Sequence, residues 1–217
     1  MIGLELSIMT DITTFGETAL QLSPSERGRL VRAEEMAVHA SGTESTAAVA
    51  AAQLGAEAVW LSKLPETPLG RRIVGELRGA GVETEIAWAD HGRQGIRFSE
   101  PAVAPRERRT IHDHENVAAA TASPGEFPIR LVREPPVVFT ALSTAVLSDQ
   151  LTETTRALLS ASADAVTAVG LDYTPGIASS SAYRETLEAV ESGDHDVVAF
   201  LAGYGSGKSV FGARWLL

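Results

Sequence analysis

The sequence predicts an α/β fold in which a mostly parallel sheet is flanked by helices and carries a small β flap. Three observations lead there. Apolar strand runs alternate with helix patterns along most of the 217 residues, the order that builds a parallel sheet. The runs at 135–142 and 165–171 are nearly continuous in apolar residues, as strands buried on both faces require. Between residues 83 and 112 short strand patterns follow one another without an intervening helix, which reads as an inserted second sheet.

Taken in order, residues 11–22 (DITTFGETALQL) hold Ile12, Phe15 and Leu20 in one apolar run broken by Gly16, the pattern of a strand with a close-approach glycine. Residues 23–29 form a polar Pro/Gly turn. The Ala-rich segment 43–54, closed by Gly55, predicts a helix with glycine at the stop. Residues 56–61 predict a buried strand. In 68–78 (PLGRRIVGELR), Leu69, Ile73, Val74 and Leu77 recur at helical spacing, with Pro68 in the first turn and Gly79 and Gly81 at the exit. Strands follow at 83–88, 95–100 and 108–112. A buried strand at 135–142, a helix at 148–162 and another strand at 165–171 resume the alternation. A helix pattern at 183–191 ends at Gly193, and a strand at 197–201 leads into AGYGSGKS.

Composition narrows the function classes. With 28 Asp+Glu against 18 Lys+Arg, the net charge is −10, which argues against a broad nucleic-acid face. Lys63 and Lys208 are the two lysines, and the acidic, Lys-poor, Ala-rich balance fits a high-salt or high-GC source. There is no cysteine, so disulfides, Cys-ligated metal and thiol catalysis are excluded. No apolar run approaches the roughly 18 residues of a membrane span, and residues 1–11 lack the basic flank of a signal peptide; the expectation is a cytoplasmic protein without a membrane partner.

Three stretches come in the order found in one kinase family: TFGETALQLSP at 14–24, ASGTESTAAVAAAQLG at 40–55 and LPETPLGRRIVGELRGAGVET at 64–84. Together with the strand-only insert they resemble the PfkB/ribokinase-type carbohydrate kinases, most closely the 2-keto-3-deoxygluconate kinase branch. The resemblance implies a ribokinase-like portion over residues 1–189 with a flap at about 83–115. It also implies phosphorylation of a sugar acid by ATP with Mg, and it leaves a homo-oligomer through the flap as a candidate assembly. The physics of the glycine turn agrees: Gly42 lets backbone approach a sugar, and the helix N-terminus at Thr43 attracts oxygen-rich or anionic groups.

The residues that the resemblance assigns to substrate are Gly42, Thr43, Thr46, Arg97, His112, His114 and Asp172. Several depart from the family's pattern. Thr46 stands where the family has asparagine. The branch has aromatic hydroxyls around Ile96 and Arg97, and a Tyr-x-Arg pair where His112 and His114 stand. An Asp-x-Asn-x-Arg run is replaced by Asp172, Thr174 and Gly176. A neutral His does not replace an Arg forked onto a carboxylate. The late Gly-Ala-Gly-Asp turn that supplies the family's catalytic base does not occur in these residues, so no catalytic residue is assigned. The expectation is a truncated kinase relative with weak or absent activity.

The segment 202–209 fits a relaxed Walker A pattern between a strand and a helix pattern. Gly203, Gly205 and Gly207 would cradle phosphate, Lys208 would neutralise it, and Ser209 would bind Mg. Its surroundings resemble the opening of a viral terminase-type packaging ATPase, so residues 190–217 form a candidate P-loop fragment. The alternative functions are therefore a nucleotide-binding fragment of such an ATPase or a non-enzymatic interaction protein. The His112-x-His114 pair, with Asp113 and Glu115 nearby, suggests either a metal site or solvated flap residues, and the latter is favoured.

Overall fold

The computed structural model describes residues 9–25, 28–162, 164–173 and 197–203. These residues form two sheets. The larger has six strands in the order β10-β9-β8-β1-β4-β5, formed by Ile12–Phe15 (β1), Ala58–Pro65 (β4), Glu83–Ala89 (β5), Val137–Ala141 (β8), Val166–Tyr173 (β9) and Val197–Gly203 (β10). Every adjacent pair in it is parallel. The smaller sheet has the order β3-β2-β6-β7, from Ala19–Ser23 (β2), Ala37–Ser41 (β3), Ile96–Glu100 (β6) and Arg109–Asp113 (β7).

The helices are Thr43–Gln53 (α1), Pro68–Gly79 (α2), Arg130–Arg133 (α3), Leu142–Ala145 (α4) and Asp149–Ala161 (α5). Their ends follow local chemistry. Gly55 and Gly81, just beyond α1 and α2, have φ of +94° and +89°, the left-handed exit that glycine adopts without a steric penalty. Thr67 and Ser148 cap α2 and α5, their hydroxyls accepting from the amides of Gly70 and Leu151.

The core lies on both faces of the larger sheet, and β4 shows why. Val59 and Leu61 pack on one face with Phe15, Val138, Leu151 and Leu158. Ala58, Trp60 and Leu64 pack on the other with Ala48, Ile73 and Leu77. Alternate residues of a strand point to opposite faces, so a strand covered on both sides is apolar on both, as Ala58–Leu61 and Leu64 are; the two polar residues of β4 are partnered, Ser62 donating to the Gly16 carbonyl and Lys63 pairing with Glu126.

Three expectations are corrected. The run at 11–22 is two strands in two sheets, not one, because the chain turns out of the larger sheet at Gly16, Glu17 and Thr18. The flap is not the contiguous segment 83–115. Residues 83–89 join the larger sheet, paired along β4 from Val59↔Glu83 to Pro65↔Ala89, while β2 and the unforeseen β3 join β6 and β7. β10, read from sequence as leading into a separate P-loop fragment, is hydrogen-bonded to β9 in register from Val197↔Thr167 to Gly203↔Tyr173. The helix pattern at 183–191 lies outside the described residues.

Leu61 is fully buried and Val31 is 80% exposed. Leu61→Ala is expected to cost about 2–5 kcal/mol in chemical denaturation, and Val31→Ala no more than about 0.5 kcal/mol. Equal effects would mean that the packing described for β4 is wrong.

Candidate functional site

Strand order places the site. From β1 the chain builds outward to β4 and β5 on one side, then returns to build β8, β9 and β10 on the other. The boundary between β1 and β8 is therefore the topological switch point, and crevices for ligands open beyond the carboxyl ends of the strands there. The residues at that end are Gly16 and Glu17 after β1 and the α4 turn after β8. The flap covers the same end. Its pairings Ala19↔Ser41 and Ile96↔Asp113 put the end of β3, the start of β6 and the end of β7 together beside Glu17.

Two buried carboxyl groups organise this crevice. Glu44, in the first turn of α1, is 1% exposed. Its Oε1 accepts the Ala141 amide at 2.9 Å and the Thr144 hydroxyl at 2.5 Å. The Thr144 Oγ1 also accepts the Glu17 amide at 3.3 Å. Glycines make the room. A Cβ on Gly16 would fall 2.0 Å from Glu44 Cδ, and one on Gly95 would fall 2.4 Å from Glu17 Oε1. A Cβ on Gly42 would fall 2.5 Å from the Glu17 carbonyl oxygen, so the turn ahead of α1 must also be glycine.

The flap contributes the positive charge and the imidazoles. Arg97 on β6 lies directly across from His112 on β7, and its Nη2 donates to the Ser41 carbonyl at 3.0 Å, next to Gly42. His112 Nδ1 and His114 Nε2 are 3.2 Å apart. His114 Nδ1 lies 4.0 Å from Glu17 Oε2. Arg93 holds the segment around His114, just beyond β7, pairing with the Asp113 carboxylate and donating to the Glu115 carbonyl at 2.6 Å. Gln94 Nε2 donates to the Thr18 carbonyl at 2.6 Å, fastening the flap to the β1–β2 turn.

Burial shifts both facing groups toward neutrality. It pushes the Glu17 carboxyl from the ordinary 4.5 up to about 7, against the opposing pull of Arg97. It also pushes the His114 imidazole from 6.5 down to about 4, helped by His112 and Arg97. His112 is lowered as well, first by burial and then by Arg97. At neutral pH the cation beside the Gly42 turn is therefore Arg97, not a histidine.

The structure gathers Gly42, Thr43, Arg97, His112 and His114 around one crevice. Thr46 is exposed on α1, one turn beyond Gly42, whose carbonyl accepts its amide. The backbone of Asp172 is on β9, paired with Ala202. Gly203 closes β10, and Gly205, Gly207, Lys208 and Ser209 lie outside the described residues. No group of three or more His, Asp or Glu among the described residues is placed to hold a metal ion, and none of their helices is long and apolar enough to cross a membrane. Sequence reading missed Glu17, Glu44, Gln94 and Thr144. The signal available for the first two was an acidic residue beside each turn glycine, Gly16-Glu17 and Gly42-Thr43-Glu44. A cavity of about 600 Å³ lined by Pro24, Arg29, Arg32, Glu35 and Arg106 lies toward the opposite end of the flap, away from this chemistry.

A family model described as pfkB family carbohydrate kinase matches residues 9–191. The 2-dehydro-3-deoxygalactonokinase of Haloferax volcanii is 41% identical over 182 residues, covering 83% of this chain and 57% of that protein. The crystal structure of 2-dehydro-3-deoxygluconokinase from Thermotoga maritima matches with a TM-score of 0.74 at 27% identity, over 77% of this chain and 52% of that one. An uncharacterized sugar kinase from Pyrococcus horikoshii, solved in complex with ATP, shares the fold with a TM-score of 0.72 at 17% identity, over 95% of this chain and 78% of that one. The chain spans about half the length of the curated relatives it matches.

The opposed shifts of Glu17 and His114 predict opposed pH effects on stability. Glu17 has its folded pKa raised, so its contribution is complete below about 4.5 and is lost as pH rises to about 7. His114 has its folded pKa lowered, so its contribution is complete above 6.5 and is lost as pH falls to about 4. Relative to the unsubstituted chain, Glu17→Gln should gain stability as pH rises from 4.5 to 7. His114→Asn should gain as pH falls from 6.5 to 4. Denaturation curves across that range check both; parallel profiles for all three proteins would refute the burial of the pair.

Proposed function

We infer that this chain, which belongs to the pfkB family of carbohydrate kinases, holds the sugar-acid half of a kinase that phosphorylates a 2-keto-3-deoxy sugar acid with ATP. The observation that carries the reading is Arg97. It projects from the flap sheet to the Ser41 carbonyl at the mouth of the Gly42 turn, where a helix N-terminus and a guanidinium converge on one crevice at the switch point. A guanidinium matches a carboxylate with paired N–H donors, and the amides at the start of α1 favour the same charge. The relatives named for 2-dehydro-3-deoxy sugar acids support the substrate class.

Arg97 takes the place of the cation that His114 does not supply. Arg97 lies on β6 opposite His112 of β7, and His114 follows the end of β7, so a positive charge moved from one position to the other still reaches the same crevice. On this reading the described residues bind and orient the acid, with the carboxylate toward Arg97 and the hydroxyl-bearing carbons toward Glu17. ATP is the second substrate. The residues that the sequence sets against phosphate, Gly205, Gly207, Lys208 and Ser209, lie outside the described residues.

Arg97→Met should weaken binding of 2-dehydro-3-deoxygluconate by about 1.5–3 kcal/mol, roughly tenfold to a hundredfold in calorimetry. It should leave the binding of the corresponding sugar without a carboxylate unchanged. A loss equal for both ligands would place Arg97 in a structural role. Because the family's Gly-Ala-Gly-Asp turn is not among these 217 residues, the chain by itself should bind the acid yet release no ADP above background in a coupled assay. Sustained turnover would refute that.

A further inference from the structure

The buried Glu17 carboxyl and the half-buried His114 imidazole face each other across the join between the larger sheet and the flap, and each has one buried atom without a hydrogen-bond partner. Glu17 is 8% exposed. Its Oε1, against Gly95, has no hydrogen-bond partner, and neither does His114 Nδ1. Glu17 Oε2 and His114 Nδ1 are 4.0 Å apart, beyond hydrogen-bonding distance. It is also a separation at which one oxygen atom sits within about 2.8 Å of both.

Both groups are held in place. The Glu17 amide is fixed on Thr144. His114 is fixed through Nε2 on His112 and through the Arg93–Asp113 pair beside it. Thr18 Oγ1 and Gln94 Oε1 are buried and unsatisfied as well, on residues joined by the bond from the Gln94 amide to the Thr18 carbonyl. An unpaired buried polar group costs about 1–3 kcal/mol, so the facing Glu17 and His114 atoms favour a polar guest between them.

We propose that the space between Glu17 and His114 receives one hydroxyl of the sugar acid, and that this pair reads the configuration of the carbon bearing it. The inference rests on the sugar-acid reading given above. The donor set selects the guest. Gln94 already spends its amide nitrogen on carbonyls, so Oε1 can only accept. A neutral imidazole carries one donor and one acceptor. A hydroxyl both donates and accepts, and so satisfies a carboxyl and an imidazole together. A carboxylate or phosphate would face Glu17, and a methylene would leave both groups unpaired. Because Glu17 belongs to the turn between β1 and β2 and His114 to the flap, the same hydroxyl ties the flap to the sheet.

The test uses the full 217-residue chain and two C4 epimers, 2-dehydro-3-deoxygluconate and 2-dehydro-3-deoxygalactonate, titrated by calorimetry. The variants are Glu17→Met, His114→Leu and His114→Asn, each checked by circular dichroism. Glu17→Met and His114→Leu should each weaken the preferred epimer at least tenfold and shrink the difference between epimers. Combining them should cost no more than the worse single change, since both lose the same hydroxyl. His114→Asn, which keeps an amide nitrogen near the position of Nδ1, should recover part of the loss. If the His114→Leu variant does not fold, the partial loss in His114→Asn decides the matter. Variants that bind both epimers as the unsubstituted chain does, or losses that simply add, overturn the inference while leaving the sugar-acid reading intact. An unsubstituted chain that binds neither epimer overturns both.

Discussion

The Glu44 carboxylate holds the crevice together. It takes the Ala141 amide and the Thr144 hydroxyl on one oxygen, so the first turn of α1 is tied to the place where β8 becomes α4. Through Thr144 the same tie reaches the Glu17 amide and hence the turn from β1 into the flap. Three segments far apart in sequence meet at one buried acid. Such a group is stable only when its oxygens are satisfied, because an unpaired charge in the interior is far more costly than an unpaired neutral group. Gly16 is the corollary. Its missing side chain is the space that the Glu44 side chain occupies.

From that anchor a continuous path of contacts returns to its start. Glu17 faces His114, His114 meets His112, His112 lies across from Arg97, and Arg97 donates to the Ser41 carbonyl. Ser41 leads through Gly42 into α1 and back to Glu44. The ring joins the larger sheet to the flap with charge, imidazole and backbone, beside the apolar packing of Leu20, Leu22, Val38 and Ala40 on Trp60 and Ile73. Burial drives its acid and its imidazole toward their neutral forms, which lowers the cost of enclosing them. Arg97 remains the charged member, held on the Ser41 carbonyl next to the Gly42 turn.

Much of the site was legible as residue types and little of it as geometry. Gly42, Thr43, Arg97, His112 and His114 could be marked from ordered motifs. What those motifs did not convey is that an arginine at 97 and a histidine at 112 are cross-strand neighbours. Glu17 and Glu44 read in sequence as ordinary acidic residues. Only burial separates them from Glu153, which makes an exposed ion pair with Arg156. Thr46 shows the reverse case, since a position chosen by motif faces outward from α1.

Local residue preferences set the alternation of strands and helices, the helix limits at Gly55, Gly81, Thr67 and Ser148, and the apolar character of β4, because each rests on contacts or dihedral preferences within a few residues. Long-range packing decided which strand belongs to which sheet. Residues 83–89 look like their neighbours in the flap, yet they pair with β4. Residues 11–22 look like one strand, yet they serve two sheets. Strand pairing is a choice among distant partners, made by the burial of whole faces and by where the Glu44 carboxyl finds its hydrogen-bond donors, and a local pattern carries no information about either.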